Sequence, residues 1–241
     1  MKEPIIRISV WSGPRNISTA LMYSFAQHSQ VKVVDEPLYG HYLSVYPSKE
    51  QHPGANIILE TMETNGHKVI ENMLQCEDKP ILFFKNMTHH LVGLDRSFLK
   101  SMVNIILTRD PVEMLPSFAE VIPNPTMEDV GYRMHMEIIK EMQTQGIPFA
   151  VLDSKAMLMN PEEQLRKLCR FIGMDFEPAM LQWTPGSRAE DGCWAPYWYK
   201  SVHQSSGFNK YTPKSSPFPE HLVPLLKACQ PYYDQMVRMA I

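Results

Sequence analysis

Two stretches of this sequence combine the residue types that hold anions. In the first, Trp11-Ser-Gly-Pro-Arg-Asn-Ile-Ser-Thr-Ala-Leu21, an apolar run enters a Gly-containing turn and then a helical pattern opening at Ser18 and Thr19. A strand, a tight turn and a helix start would aim free backbone N–H groups and two hydroxyls at one point, and Arg15 adds charge there. A nucleotide loop of the GxxxxGK[ST] type needs a second glycine and a lysine; neither is present, which disfavours ordinary ATP or GTP binding. The plainer alternative is a strand-to-helix turn in which Ser18 only caps the helix. In the second stretch, Val103-Asn-Ile-Ile-Leu-Thr-Arg-Asp-Pro-Val-Glu-Met-Leu-Pro-Ser117, Arg109 lies just beyond an apolar run and Ser117 follows about two helical turns later. Its plainer alternative is a solvated Arg109/Asp110 turn with Ser117 as an ordinary helix residue.

Further titratable groups stand at the ends of other apolar runs. Glu36 follows the second run in Val34-Asp-Glu-Pro-Leu-Tyr39, Lys85 closes the run Ile81 to Phe84, and His89 and His90 come shortly after it. Glu36 has a plain capping role open to it, because Pro37 after an acidic pair can start a helix. Adjacent histidines rarely converge on one ion, and no HxxxH or paired-carboxylate spacing supports them, so no metal site is expected.

These groups can meet only if the surrounding elements bring the run ends to one edge. Ile5 to Val10, Val31 to Val34, Ile81 to Phe84, Val103 to Leu107 and Phe149 to Leu152 are short and almost continuously apolar, as strands covered on both faces are. Helical patterns alternate with them: Ser18 to Gln27, a Val130/Met134/Ile138 stripe before Gly146, and Asn160 to Gly173. In the last, Asn160 is placed as N-cap with Pro161 at the first helical position, Glu163 can complete a capping interaction, and Gly173 can end the helix. Strands separated by helices imply βαβ crossovers, hence a three-layer α/β/α fold around a mostly parallel sheet, whose ligands sit at the carboxyl edge. Residues 183–220 lose all periodicity and hold three of the four tryptophans, so they read as an ordered, aromatic-rich loop or lid. A final amphipathic pattern carries Leu222, Leu225, Leu226 and Cys229, and Pro231 should kink or end it. With no internal repeat or low-complexity linker, residues 1–241 read as a single domain.

Composition narrows the function classes. The 241 residues carry 23 basic and 26 acidic side chains, a formal net charge of −3, and are 44% hydrophobic. This is globular composition with no broad basic field, so neither nucleic acid nor an anionic membrane is an expected partner; an anion must be held by a local cluster. Cys76, Cys169, Cys193 and Cys229 form no CxxC pair and read as reduced thiols. The start Met-Lys-Glu-Pro-Ile-Ile-Arg-Ile lacks the uninterrupted apolar run of a signal peptide, and no stretch reaches transmembrane length. A cytoplasmic location is therefore expected, and the sequons Asn16-Ile-Ser18 and Asn86-Met-Thr88 read as chance matches.

Pro14-Arg15-Asn16-Ile17-Ser18-Thr19 after the first strand resembles the phosphosulfate loop of sulfotransferases. Ile106-Leu-Thr-Arg-Asp-Pro111 with Ser117 resembles their motif for the 3′-phosphate of 3′-phosphoadenosine 5′-phosphosulfate (PAPS), and Val151-Leu-Asp-Ser with Asn160-Pro-Glu-Glu and Leu168 to Met174 is similar to a later strand and helix. The resemblance spans roughly Ile5 to Met174, and three motifs in the right order are fairly specific. It implies a P-loop-like three-layer fold without ATPase activity, and metal-free in-line transfer of a sulfuryl group from PAPS to a hydroxyl or amine of a small molecule. It implies that Arg15, Asn16, Ile17, Ser18 and Thr19 surround the 5′-phosphosulfate, that Arg109 and Ser117 hold the 3′-phosphate, and that Lys85 contacts the transferred sulfate. Where many members have Ser-Gly-Thr, this chain has Asn16-Ile17-Ser18, so the loop lacks a glycine's conformational freedom. For the base that takes the acceptor's proton, the resemblance points first to Glu36, then to the pair His89 and His90, with His41 third. Two other readings stay open on the residues alone: an ATP-dependent small-molecule kinase, against which the missing lysine counts, and a nucleotide-binding protein without catalysis.

Overall fold

The computed structural model of the chain describes residues 4–46, 52–213 and 216–241. Its centre is a five-stranded sheet, all parallel, in the order β2-β3-β1-β4-β5: β1 Ile6–Ser12, β2 Val31–Asp35, β3 Ile81–Met87, β4 Val103–Thr108 and β5 Phe149–Asp153. These are the five apolar runs, each prolonged by one to three residues at its carboxyl end. Side chains alternate between two covered faces, as the pleat requires. Ile8, Val10, Phe83, Ile105, Leu107 and Leu152 face one core, and Trp11, Leu82, Phe84, Ile106 and Val151 face the other.

Helices supply both covers. The first core is closed by α1 (Ser18–Phe25) and α9 (Pro161–Ile172); the second by α4 (Gly66–Gln75), α5 (Pro111–Ala119), α7 (Tyr132–Gln145) and α12 (Val223–Val237). The three-layer α/β/α, P-loop-like architecture expected from the sequence is the observed one. Strand order reverses on either side of β1, so the loop after β1 opens at the switch point where such sheets place ligands. The strand pairings set Asp35 beside Lys85, and Ser12 between Met87 and Leu107, along that carboxyl edge. The four cysteines are free thiols, and among the described residues no helix is long and apolar enough to cross a membrane.

Three local expectations differ from the structure. Asn160 takes the N-cap position of α9 but makes no side-chain cap bond, because it also ends α8 (Ser154–Met159), its N–H donating to Ala156 O; Glu163 pairs instead with Lys167. Gly173 does end α9, with a left-handed φ of 82°. Helix α12 does not end at Pro231 but continues to Val237, held by the buried side chains of Cys229, Tyr233 and Met236 on either side of it. Finally, α1 stops two residues short of Gln27.

The aromatic-rich stretch is ordered. It carries two four-residue helices, α10 (Ala195–Trp198) and α11 (Lys200–His203), and an isolated bridge pairs Gln182 with Gly207. Trp183, Trp194 and Tyr199 are buried, which anchors this segment over the carboxyl edge of the sheet. Residues 214–215 of it lie outside the described residues.

Candidate active site at the carboxyl edge of the sheet

One cavity of about 420 Å³ opens at this edge, and of the site residues singled out from the sequence all but His41 line it: Arg15, Asn16, Ile17, Ser18, Thr19, Glu36, Lys85, His89, His90, Arg109 and Ser117. The loop after β1 reaches it by passing close under α6 (Met127–Val130). A Cβ on Gly13 would come within 2.9 Å of the Val130 carbonyl oxygen, so this position admits no side chain without displacing backbone. Two residues further on, Arg15 holds a left-handed φ of 52°. The conformational freedom that the loop lacks in glycine is taken up by an arginine under strain, of a kind that clusters at functional sites.

At this end the cationic groups converge. Arg15 Nε donates to Ser117 Oγ at 3.0 Å, one Arg15 amino group donates to Trp198 O at 3.2 Å, and Arg109 donates to the Arg15 carbonyl at 2.8 Å. Arg15 thus touches both Ser117 and Arg109. Glu113 accepts from Arg109 at 3.3 Å, whereas Arg109 Nε is buried without a partner among the described residues. Burial lowers the pKa of Arg15, Glu120 partly offsets this, and the nearby positive charge of Arg109 adds to the lowering. Two arginines forced together with incomplete neutralisation are arranged to receive an anion. Helix α1 adds donors, because the N–H groups of Thr19 and Ala20 precede its first intrahelical bond, from Leu21 N to Ile17 O. Asn16 shapes the loop instead: its side chain donates to Leu107 O at 3.0 Å and accepts from Ser18 N at 3.2 Å.

The other end is built around Lys85, which is fully buried at the end of β3. Its ammonium donates to Asp35 at 2.8 Å, to Glu36, and to Tyr199 Oη at 2.8 Å, which uses all three protons. Tyr199 Oη in turn donates to Asp35 at 2.7 Å and accepts from Trp194 Nε1 at 3.0 Å, while Gly192 N donates to Asp35 at 3.1 Å. Burial opposes the charge on Lys85, and Asp35 and Glu36 overcome it, so its pKa is raised. Glu36 is pushed up to about 6: burial raises it, Lys85 pulls it down, and the Asp35 charge raises it again. One ammonium between two buried carboxylates leaves the second carboxylate prone to hold a proton. Glu36 also sits at a left-handed φ of 42°. Like Arg15, it is a strained residue presented to the cavity.

His89 and His90 follow in a 3-10 turn, both buried, with Nδ1 atoms that make no hydrogen bond among the described residues. Burial drives His89 down to about 3 and His90 well below the usual histidine range. His41 does not line the cavity; it packs against Gly66 and its ring meets the Val92 carbonyl at 2.9 Å. Among the described residues no group of His, Cys, Asp or Glu is placed to hold a metal ion.

Trp194, Trp198 and Tyr199, the aromatic residues that the sequence offers for closing over the adenine or the acceptor, line the cavity. Asn209, Lys210 and Tyr211 line it too, and they come from the irregular segment, which no periodicity places. Asp129 belongs to a four-residue helix too short to read from pattern, and Asp35 had a signal that was passed over, its position opposite Lys85 at the strand ends.

Comparison with known proteins agrees with this arrangement. The family model described as "Sulfotransferase domain" matches residues 6–240. Two Arabidopsis thaliana proteins named branched-chain-amino-acid aminotransferase-like protein 1 and 2 are 38% and 34% identical over 97% and 94% of this chain. The chain spans about two fifths of their length (42% and 40%). Among solved structures, the sulfotransferase domain from the curacin biosynthetic pathway superposes with a TM-score of 0.55 at 16% identity, covering 98% of this chain and 99% of that one. The sulfotransferase domain from the Synechococcus PCC 7002 olefin synthase gives 0.57 at 14% identity, covering 95% of each. At such identities these likenesses establish the fold.

Proposed function

The chain belongs to the sulfotransferase domain family, and from that premise we propose that it moves a sulfuryl group from PAPS to a hydroxyl or amine of a small-molecule acceptor, by in-line displacement without a metal. The observation that carries this is the division of one cavity into two ends: Arg15, Arg109 and the start of α1 at one, and the Lys85/Glu36 pair at the other.

PAPS supplies an activated sulfuryl group on a nucleotide bearing two phosphate positions. Arg15 and the α1 N–H groups fit the 5′-phosphosulfate, and Arg109 with Ser117 fits the 3′-phosphate; the unpartnered Arg109 Nε and the crowding of two guanidinium groups are what an anion would relieve. Phe118 and Trp198, whose rings stack at 6.2 Å beside Arg15, offer flat faces to a base. As the acceptor atom bonds to sulfur, the sulfur–oxygen bond to the 5′-phosphate breaks and the acceptor's proton goes to a base. Glu36 suits that role better than His89 or His90. Raised to about 6, it is ionised at neutral pH yet more basic than an ordinary carboxylate, whereas the histidines are pushed far below the range of an effective base. Lys85 holds Glu36 in place for that step, and its implied contact with the sulfuryl oxygens requires it to release one of its bonds to Asp35, Glu36 or Tyr199.

Thermal-shift measurements with adenosine 3′,5′-bisphosphate and with Mg-ATP test this reading. Stabilisation by the bisphosphate supports it. Stabilisation by Mg-ATP alone overturns it in favour of a kinase, and bisphosphate binding without sulfate transfer to any of a broad panel of alcohols and amines favours a non-catalytic binder.

A further inference from the structure

The acceptor end of the cavity has a composition of its own. Tyr39, His90, Tyr42 and Tyr46 stack one on the next, with centroid spacings of 4.8, 4.7 and 4.8 Å. His52 meets all three tyrosines edge-on at 5.4 to 6.0 Å. Tyr39, His52 and His90 line the cavity, and so does Asp129.

Asp129 is 5% exposed. It accepts from Tyr46 Oη at 2.7 Å through one oxygen, and from Thr126 N and Oγ1 at 2.7 and 2.8 Å through the other. No lysine or arginine pairs with it among the described residues. A helix-capping aspartate ordinarily faces water; one buried against a cavity without a cation carries an unrelieved desolvation cost. The neighbouring imidazoles supply no charge, since burial lowers the pKa of His52, His89 and His90. Lys85 supplies none either, being matched by Asp35 and Glu36. His89 and His90, 8% and 1% exposed, also keep Nδ1 atoms without partners among the described residues at this wall. A carboxylate short of a cation, in a cavity wall of Tyr39 and neutral imidazoles, is the chemistry that selects ammonium groups.

We propose that the acceptor is an alcohol carrying an ammonium group, held by Asp129 and the wall of Tyr39, His52 and His90 with its hydroxyl toward Glu36. The proposal rests on the sulfotransferase reading above and deepens it. The hydroxyl oxygen bonds to sulfur, the sulfur–oxygen bond to the 5′-phosphate breaks, the hydroxyl proton passes to Glu36, and the product is a zwitterionic sulfate ester. Such a product has no net charge, so the electrostatic hold of Asp129 weakens once transfer is complete.

Ligand-observed NMR titrations of the full chain, with and without adenosine 3′,5′-bisphosphate, compare choline with 3,3-dimethyl-1-butanol, the same shape without the charge. Choline is expected to bind at least about tenfold more tightly. In Asp129→Asn, whose amide oxygen can still accept the Thr126 cap bonds, that gap should fall to about threefold or less while bisphosphate affinity is unchanged. Equal affinities, tighter binding of the neutral alcohol, binding of neither, or a gap that survives in Asp129→Asn would each overturn the proposal. The choline comparison uses the unaltered chain, so it stands even if the variant folds poorly. Loss of bisphosphate binding in the unaltered chain would instead count against the sulfotransferase reading.

Discussion

Replacing Glu36 by Gln separates the chemistry of the site from its stability. In the folded chain Glu36 titrates near 6, against an ordinary 4.5, because burial and Asp35 outweigh Lys85. A carboxyl with a raised folded pKa binds its proton more tightly folded than unfolded. Below pH 4.5 both states are protonated and no difference arises; between pH 4.5 and 6 the fold loses stability as pH rises; above 6 the loss is complete. A shift of about 1.5 units corresponds to about 2 kcal/mol, and since the group is buried, solvent screening does not reduce it much. Glutamine never ionises, and leaves Lys85 paired one-to-one with Asp35. The stability of Glu36→Gln relative to the parent should therefore improve by about 2 kcal/mol between pH 4.5 and pH 7.5, whatever its offset at low pH. Turnover should fall by about 10² to 10⁴ while bisphosphate affinity is nearly unchanged. Guanidinium denaturation at the two pH values reads the first effect, and a sulfate-transfer assay the second. A stability difference independent of pH would refute the electrostatic reasoning, and surviving turnover would move the role of base to His89 and His90.

Other substitutions probe the remaining parts. Arg15→Gly relieves the left-handed strain at φ 52°, so it should unfold about 1 kcal/mol later than Arg15→Ala while both lose nucleotide affinity; equal stabilities would remove strain from the account. Arg109→Ala should weaken adenosine 3′,5′-bisphosphate by about 1.5 to 3 kcal/mol in calorimetry through loss of charge-assisted bonds, and unchanged affinity would refute its role. Gly13→Ala sets a Cβ against Val130 O and should cost about 1 to 3 kcal/mol of stability in denaturant melts.

The sheet was legible because its strands are covered on both faces, and that burial writes itself into the sequence as continuous apolar runs from Ile6 to Asp153. The same runs located Arg15, Lys85 and Arg109, since a polar residue at the end of a buried strand must lie at the ligand edge. The partners of those residues were another matter. Tyr199, which completes the Lys85 cluster 114 residues away, and Trp198, whose carbonyl receives Arg15, belong to a segment whose path is set by side-chain burial rather than by period. Pro231 does not end helix α12 for a related reason: the helix is held by the core on which it packs, and tertiary contact overrides the local cost of a missing N–H. Asn160 misled because its position was read for one helix while its backbone serves two.

The central claim is that the strand-edge cavity carries out sulfuryl transfer, and the most direct measurement is a mass-spectrometric count of products in a single turnover with PAPS and an alcohol acceptor. One equivalent of 3′-phosphoadenosine 5′-phosphate per sulfated acceptor, with both falling together in Glu36→Gln, is the predicted result. Nucleotide product accompanied only by free sulfate, or bound PAPS left unconsumed across all acceptors, would contradict it.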